Sequence, residues 1–246
     1  MKSSKVGVVQ IPSENGGIHR NLDAHLNAIE VAAKWKVSFL AFPELSLVGY
    51  TPELSQALAV SLEDYRLKPL QLAARVNDMF LVAGAAIATE SLPRIGSLIF
   101  SPDGSIRSYA KMHLHSGEEK YFSVGHSYSL VAVGEHTIAN AICADTNSPE
   151  HVSSCVEKGA NIYVSGSMIT HNGYTKDTEV LKSYARNYGI LVAVANQNSL
   201  SKEGRPCGRS AIWTPSGLLA GANESQSAII AAQRTSAGWS GEVIEL

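Results

Sequence analysis

Three residues of this chain have side chains suited to chemistry at an electrophilic carbon, and the first of them is Cys143. It follows the apolar run 138–142 and precedes a helix start at Ser148. A cysteine at such a sharp turn faces the positive end of the following helix dipole, which favours the nucleophilic thiolate. The competing interpretation of a lone cysteine is a small buried hydrophobic residue. Position alone leaves both interpretations open.

A carboxylate and an ammonium group stand in comparable places. Glu44 follows the strand-like run 38–42, where an acid is costly unless it is paired or has a chemical task; a solvated loop glutamate is the alternative. Lys111 ends a predicted hairpin strand, where it either protects a sheet edge or stabilises a developing oxyanion. Each of these signals is weak when it is taken alone.

The remaining reactive side chains give weaker indications. His113 and His115 form a His-x-His pair that resembles half of a metal site, but no further ligands stand at a defined spacing, so packing or hydrogen bonding is favoured and no metal is expected. Cys155 lies in a predicted helix and is expected to be buried. Cys207 lies in a loop flanked by Gly and Pro and is expected to be accessible.

The elements that must position these residues follow from apolar periodicity and turn signals. A Ser-Pro-Glu sequence at 148–150 is typical of a helix start, because it supplies an N-cap, a proline in the first turn and an acid. Helices are predicted at 18–36, at 62–78 with Pro69 as a break or a start, from 148 to about 159, and at 174–188. Strands are predicted at 6–11, 38–42, 80–88, 96–100, 105–110, 129–133, 136–142, 162–165, 190–195, 210–213, 218–220 and 228–232.

Many strands and few helices indicate a layered α/β protein. Several runs are apolar throughout, as expected for strands covered on both faces. Two packed sheets with helices outside satisfy this pattern, and a single doubly wound sheet is the alternative. We find no low-complexity linker, charge block or repeat, so residues 1–246 are predicted to form one domain.

Composition excludes several classes of partner. The 246 residues carry 20 basic and 22 acidic side chains, a net charge of −2, so nucleic acid is not an expected partner. No apolar run approaches the ~20 residues that span a bilayer, so no membrane segment is expected. Three widely spaced cysteines argue against a disulfide framework, and no secretory signal is visible at the N-terminus. A cytoplasmic location is therefore expected.

Taken together, three motifs are far more specific than any single residue. Glu44 lies in PELSLVGY, Lys111 in KMHLHSGEEKYFSVG and Cys143 in ICADTNSPE. With this order and spacing, the chain resembles the nitrilase superfamily of carbon–nitrogen hydrolases, whose catalytic set is Glu, Lys and Cys. The resemblance covers nearly the whole chain, although the segment 235–246, and Trp239–Leu246 in particular, matches no pattern.

The resemblance implies an α/β fold of the four-layer α-β-β-α type and an enzyme without a cofactor that acts on a small amide. It implies Cys143 as nucleophile, Glu44 as proton shuttle, and Lys111 with the backbone N–H of Ala144 as oxyanion donors. A second glutamate is expected to orient the lysine. Glu118 fits its spacing, and the adjacent Glu119 is the alternative. Homodimers or larger assemblies that pair through helices near the active-site face are also implied.

Departures from the family pattern concern the pocket. The small Ala144 stands where an aromatic residue is usual, Asn147 where Arg or an aromatic is common, and Val124 where Pro is common. The Cys-Trp-Glu sequence of the nitrile-hydrolysing branch is absent, which favours amides. Tyr50 and Ser167 are expected to line the pocket. An N-carbamoyl amidohydrolase with the same three residues and a non-catalytic interaction protein are the alternatives.

Overall fold

The computed structural model describes residues 4–198 and 206–246, and these form four layers. Five helices and thirteen strands are assigned within those ranges. The helices are α1 (Ile18–Lys34), α2 (Ser55–Leu58), α3 (Lys68–Val76), α4 (Pro149–Glu157) and α5 (His171–Tyr188). The strands are β1 (Lys5–Gln10), β2 (Val37–Ala41), β3 (Phe80–Ile87), β4 (Arg94–Phe100), β5 (Ile106–Ala110), β6 (Ser129–Val133), β7 (His136–Ile142), β8 (Ile162–Ser167), β9 (Leu191–Asn196), β10 (Ala211–Thr214), β11 (Gly217–Gly221), β12 (Ala228–Thr235) and β13 (Gly238–Glu245).

Two sheets pack face to face. In the described part of the chain, one sheet has the order β13-β12-β1-β2-β3-β4-β5 and the other has the order β11-β10-β9-β8-β7-β6. The larger apolar core contains side chains from both sheets, including Val8, Phe39 and Ile212. The two-sheet prediction is confirmed, and the doubly wound alternative is wrong.

Helices cover the outer face of each sheet because one stripe of each helix is apolar. Helix α1 buries Ala28 and Ile29 against the first sheet. Helices α4 and α5 cover the second sheet, where Val152 and Leu181 join a second core. The layer order is therefore α-β-β-α. No helix in residues 4–198 or 206–246 is long and apolar enough to cross a membrane.

Local signals explain where several helices begin and end. The predicted start of α4 is confirmed, since the Ser148 side chain accepts from the backbone N–H of His151 and Pro149 occupies the first helical position. Pro69 lies in the first turn of α3, so the helix predicted over 62–78 begins only at Lys68. Helix α5 ends at Gly189, which adopts the left-handed conformation with φ of 67°.

Two elements were not predicted. The short helix α2 lies between the first motif and α3. Strand β13 pairs antiparallel with β12 from Ala228 opposite Glu245 to Thr235 opposite Gly238, and so it forms an edge of the first sheet. An edge strand covered only in part has little apolar periodicity, and in β13 only Ile244 is buried. The segment 235–246 thus completes the sheet.

Candidate active site

Strands from both sheets end at one edge of the sandwich, and the motif residues follow those ends. Strands β1, β2 and β3 are mutually parallel, as are β7, β8 and β9. Strand β5 runs in the same direction as β3, because β4 is antiparallel to both. Glu44 follows β2, Lys111 follows β5 and Cys143 follows β7. The carboxyl ends of parallel strands are where α/β proteins commonly place ligands.

The Lys111 ammonium group lies between two carboxylates. Its Nζ donates to Glu44 Oε1 at 2.8 Å and to Glu118 Oε2 at 3.0 Å. All three side chains are buried, and Lys111 has no exposed surface. Burial alone would lower the pKa of Lys111, but the charges of Glu44, Cys143 and Glu118 outweigh burial and raise it above its usual range. The ammonium group is therefore a fixed positive charge, and the edge-strand interpretation is wrong.

The structure distinguishes the two adjacent glutamates. Glu118 begins a single 3-10 turn and is buried, and it accepts hydrogen bonds from Lys111 and, at 3.3 Å, from the Tyr50 hydroxyl. Glu119 is exposed, and its carboxylate accepts from the backbone N–H of Gly117. Of the two, only Glu118 lies beside the lysine. Tyr50, predicted to line the pocket, adjoins the same cluster.

Cys143 starts a 3-10 turn and has a φ of 42°, a left-handed conformation that is uncommon outside glycine. Cys143 is half-buried. Burial raises the pKa of the Cys143 thiol above its usual range, as do the charge of Glu44 and the hydrogen bond to it, whereas Lys111 and the Met168 backbone N–H oppose this rise. The predicted thiolate-favouring environment is therefore wrong, because burial and the adjacent carboxylate dominate. This environment favours the protonated form of the thiol beside the Glu44 carboxylate.

Close contacts hold the loop that carries Glu44. Leu45 has a φ of 50°, and the Gln197 amide donates to the Glu44 carbonyl at 2.7 Å. A Cβ atom added at Gly84 would lie 2.3 Å from the Pro43 carbonyl oxygen. Only a glycine in the neighbouring strand β3 therefore allows this close approach. The solvated-loop interpretation of Glu44 is wrong.

Asp145, which the motif analysis did not single out, connects two parts of the site. Its carboxylate accepts from the backbone N–H groups of Ile142, Met112 and His113 and, at 2.7 Å, from the Tyr109 hydroxyl. The cysteine turn is thereby tied to the segment that follows Lys111. An acid three residues after an apolar strand was the available signal, since carboxylates avoid such places unless they are paired.

The two histidines of the His-x-His pair have different partners. His113 Nδ1 lies 3.1 Å from Asp145 Oδ1, whereas His115 Nε2 lies 3.3 Å from Cys143 Sγ. Within residues 4–198 and 206–246, no group of three His, Cys, Asp or Glu side chains could hold a metal ion. Sequence reasoning missed the His115 contact, because residues 28 apart meet only in the folded chain.

The other predicted residues take different positions. Ala144 is buried directly after the cysteine. Ser167 is buried in β8, where its hydroxyl lies 2.9 Å from that of Ser165. Cys155 is buried, as predicted. Cys207 is also buried, so its predicted accessibility is wrong; it lies against the Asn196 side chain.

Two stacked sheets with a cysteine, a lysine and two glutamates at one edge define the scaffold of a cysteine-dependent hydrolase. The chain belongs to the carbon–nitrogen hydrolase family, whose sequence profile matches residues 5–240. The family expectation from the three motifs is thereby confirmed.

Among curated relatives, an (R)-stereoselective amidase from a Pseudomonas species is 30% identical over 162 residues, 65% of this chain and 58% of that protein. A glutamine-dependent NAD(+) synthetase from Acinetobacter baylyi is 30% identical over 150 residues, 59% of this chain and 28% of that protein. The matched segments thus span about half or less of these relatives.

Solved structures show the same fold. An amidase of the nitrilase superfamily from Nesterenkonia AN1 superposes with a TM-score of 0.84 at 23% identity, covering 95% of this chain and 91% of that chain. A further structure of that amidase contains the acetamide moiety of fluoroacetamide added covalently at its active-site cysteine; it covers 94% of this chain and 89% of its own, with a TM-score of 0.84 at 22% identity.

Proposed function

We propose that this chain is an amidase that hydrolyses a small linear amide through a thioester on Cys143 and releases ammonia or an amine. The buried Lys111 ammonium group, fixed at 2.8 Å from Glu44 and 3.0 Å from Glu118 beside the cysteine, is the observation that carries this proposal. Membership of the carbon–nitrogen hydrolase family and the amidase names of relatives support it.

Acylation starts from the protonated thiol. Glu44 accepts the S–H proton while Sγ forms a bond to the amide carbon, and the carbonyl oxygen becomes an oxyanion. Lys111 and the backbone N–H of Ala144 stabilise that oxyanion, because donors already in place cost no reorganisation during the reaction. The carbon–nitrogen bond then breaks, and Glu44 passes its proton to the leaving nitrogen.

Deacylation uses the same residues. Glu44, now a carboxylate, takes a proton from water as the water oxygen attacks the thioester carbon. Lys111 and Ala144 stabilise the second oxyanion. The carbon–sulfur bond breaks, Cys143 regains its proton from Glu44, and a carboxylic acid leaves. One carboxylate therefore serves as base and acid in turn.

Glu118 holds Lys111 in place. Its contacts with Nζ at 3.0 and 3.3 Å fix the ammonium position while Glu44 is protonated and deprotonated. Without Glu118, the ammonium group would keep only the carboxylate that has to move protons. We therefore assign Glu118 to positioning of the lysine, and we assign Tyr50 and Ser167 to the pocket lining.

We also propose a homodimer in a reducing, cytoplasmic compartment. The motif resemblance supports the assembly, and three unpaired cysteines support the compartment. Light scattering coupled to size-exclusion chromatography measures the molar mass of the assembly directly. A monomer at micromolar concentration would contradict the proposed homodimer.

A substrate panel tests the proposed reaction. Short aliphatic amides, ω-amides of dicarboxylic acids and N-carbamoyl amines are supplied in parallel, and ammonia release is measured. Carbon dioxide release with the amine identifies the N-carbamoyl reaction, whereas a carboxylic acid product identifies the plain amidase.

Cys143→Ala is expected to lower ammonia release by more than about 10,000-fold, because a missing nucleophile leaves only binding and oxyanion stabilisation. Cys155→Ala removes a buried thiol outside the cluster and should retain the parent rate. Circular dichroism checks that both variants fold. Hydrolysis at the parent rate by Cys143→Ala would refute the mechanism, and no ammonia from any panel amide would favour a non-catalytic protein.

A further inference from the structure

His115 lies against the Cys143 sulfur and has no part in the reaction scheme above. Its Nε2 lies 3.3 Å from Cys143 Sγ. Its backbone N–H donates to Glu118 Oε2 at 2.8 Å, so the carboxylate that holds the lysine also anchors this histidine. The imidazole is exposed, whereas Glu44 and Lys111 are buried. His115 therefore approaches the sulfur from the solvent side of the site.

The surroundings of the sulfur determine which way a hydrogen bond to His115 runs. In the proposed reaction the single thiol proton goes to Glu44. The sulfur can then only accept from a further polar neighbour, so Nε2 carries the hydrogen.

The charged groups around His115 come from three elements. The Cys143 turn faces Nε2, the Glu118 carboxylate binds the backbone, and Asp177 approaches from α5. Burial raises the pKa of Asp177, and the charges of Lys176 and His115 oppose this rise. The imidazole and this carboxylate therefore interact electrostatically.

We propose that His115 is a further catalytic residue, which donates its Nε2 hydrogen to Cys143 Sγ and stabilises the negative charge that develops there as Glu44 removes the proton. The inference rests on the proposed function. No proton leaves the imidazole: the thiol proton goes to Glu44 and then to the leaving nitrogen, and the new bond joins sulfur to the acyl carbon.

Alkylation of Cys143 by iodoacetamide tests this donor without amide turnover. The rate is followed from pH 5 to 10 by mass spectrometry of the peptide that contains Cys143, which separates it from the two buried cysteines. His115→Leu should slow alkylation about tenfold at pH 7.5, because a hydrogen bond to a charged acceptor shifts a pKa by about one unit.

His115→Gln provides the matched rescue, since its side-chain amide can donate from a similar position. We expect it to alkylate within about threefold of the parent protein, and the rates of ammonia release should follow the same order. His19→Leu changes another exposed histidine, on α1, and should leave both rates unchanged.

Equal alkylation profiles for His115→Leu and the parent protein would overturn the proposal. Equal slowing by Leu and Gln would also overturn it, because the ring would then act by packing alone. If the parent protein releases no ammonia from any panel amide, the proposed function fails, while the alkylation profiles still decide whether His115 donates to the sulfur.

Discussion

Replacing Lys111 by Met leaves two buried carboxylates without their shared counter-charge. Each contact of Nζ, at 2.8 Å to Glu44 and 3.0 Å to Glu118, corresponds to about 6 kcal/mol at an effective dielectric constant of about 20. Desolvation of the buried charges offsets much of that attraction. Removing one partner of a buried ion pair typically costs about 3–5 kcal/mol, and we expect a loss of that size from Lys111→Met.

The pH dependence of this loss follows from linkage. Because the pKa of Lys111 is raised above the unfolded value of about 10.4, its stabilising contribution is complete below that pH and disappears as pH rises through the folded pKa. A comparison at pH 8 therefore measures the whole contribution. Below about pH 4, where unfolded glutamates are protonated, the loss in Lys111→Met should shrink.

Urea unfolding followed by tryptophan fluorescence measures the free energy of unfolding at pH 8 and pH 4. A loss of 3–5 kcal/mol should also lower the melting temperature by about 10 °C. Lys182→Met is the matched control, because Lys182 pairs with Glu179 at 2.7 Å on the exposed face of α5, where ion pairs contribute less than about 1 kcal/mol. An unfolding free energy for Lys111→Met within about 1 kcal/mol of the parent protein at pH 8 would refute the reasoning.

Two further predictions concern the loop that carries Glu44, where the Ser46 hydroxyl lies 2.9 Å from His25 Nε2. Gly84→Ala would place a Cβ atom 2.3 Å from the Pro43 carbonyl oxygen and 2.4 Å from the Leu45 nitrogen. The loop would have to shift, so ammonia release should fall more than about tenfold. Gly221→Ala is the control, because the nearest atom to its added Cβ lies at 3.4 Å, and it should retain the parent rate. Burial lowers the pKa of His25 to about 4. Between pH 4 and 6.5 the unfolded chain therefore binds more protons than the folded chain does. The free energy of unfolding should fall by up to about 3 kcal/mol as pH drops through that range. His25→Gln should flatten this decline in urea titrations, and an unchanged slope would contradict it.

Strands buried on both faces were the elements that the sequence predicted most accurately. Strand β7 matches the predicted range 136–142, and β3 ends one residue before the end of the predicted range 80–88, because a strand covered on both sides appears as a continuous apolar run. The start of α4 was predicted equally well, since the signals of Ser148 and Pro149 act within one turn of the chain. Strand β13 lacked both kinds of signal and was missed.

The environments of individual side chains were predicted less well than the secondary-structure elements. Cys207 was expected in an accessible loop and is buried, and the thiol of Cys143 was expected to have a lowered pKa, whereas burial and Glu44 raise it. Flanking residues report a turn or a helix start. They do not report which side chains from distant strands lie against that turn.

The sequence by itself determined the chemical types at the site and their order along the chain, since Glu44, Lys111 and Cys143 each stand in a recognisable motif after a predicted strand. Only the tertiary structure decided that Glu118 rather than Glu119 binds the lysine, and that His115 rather than His113 touches the sulfur. Neighbouring residues of one type share nearly the same local sequence. Their burial and their distances to other groups depend on how the two sheets stack, which no local pattern encodes.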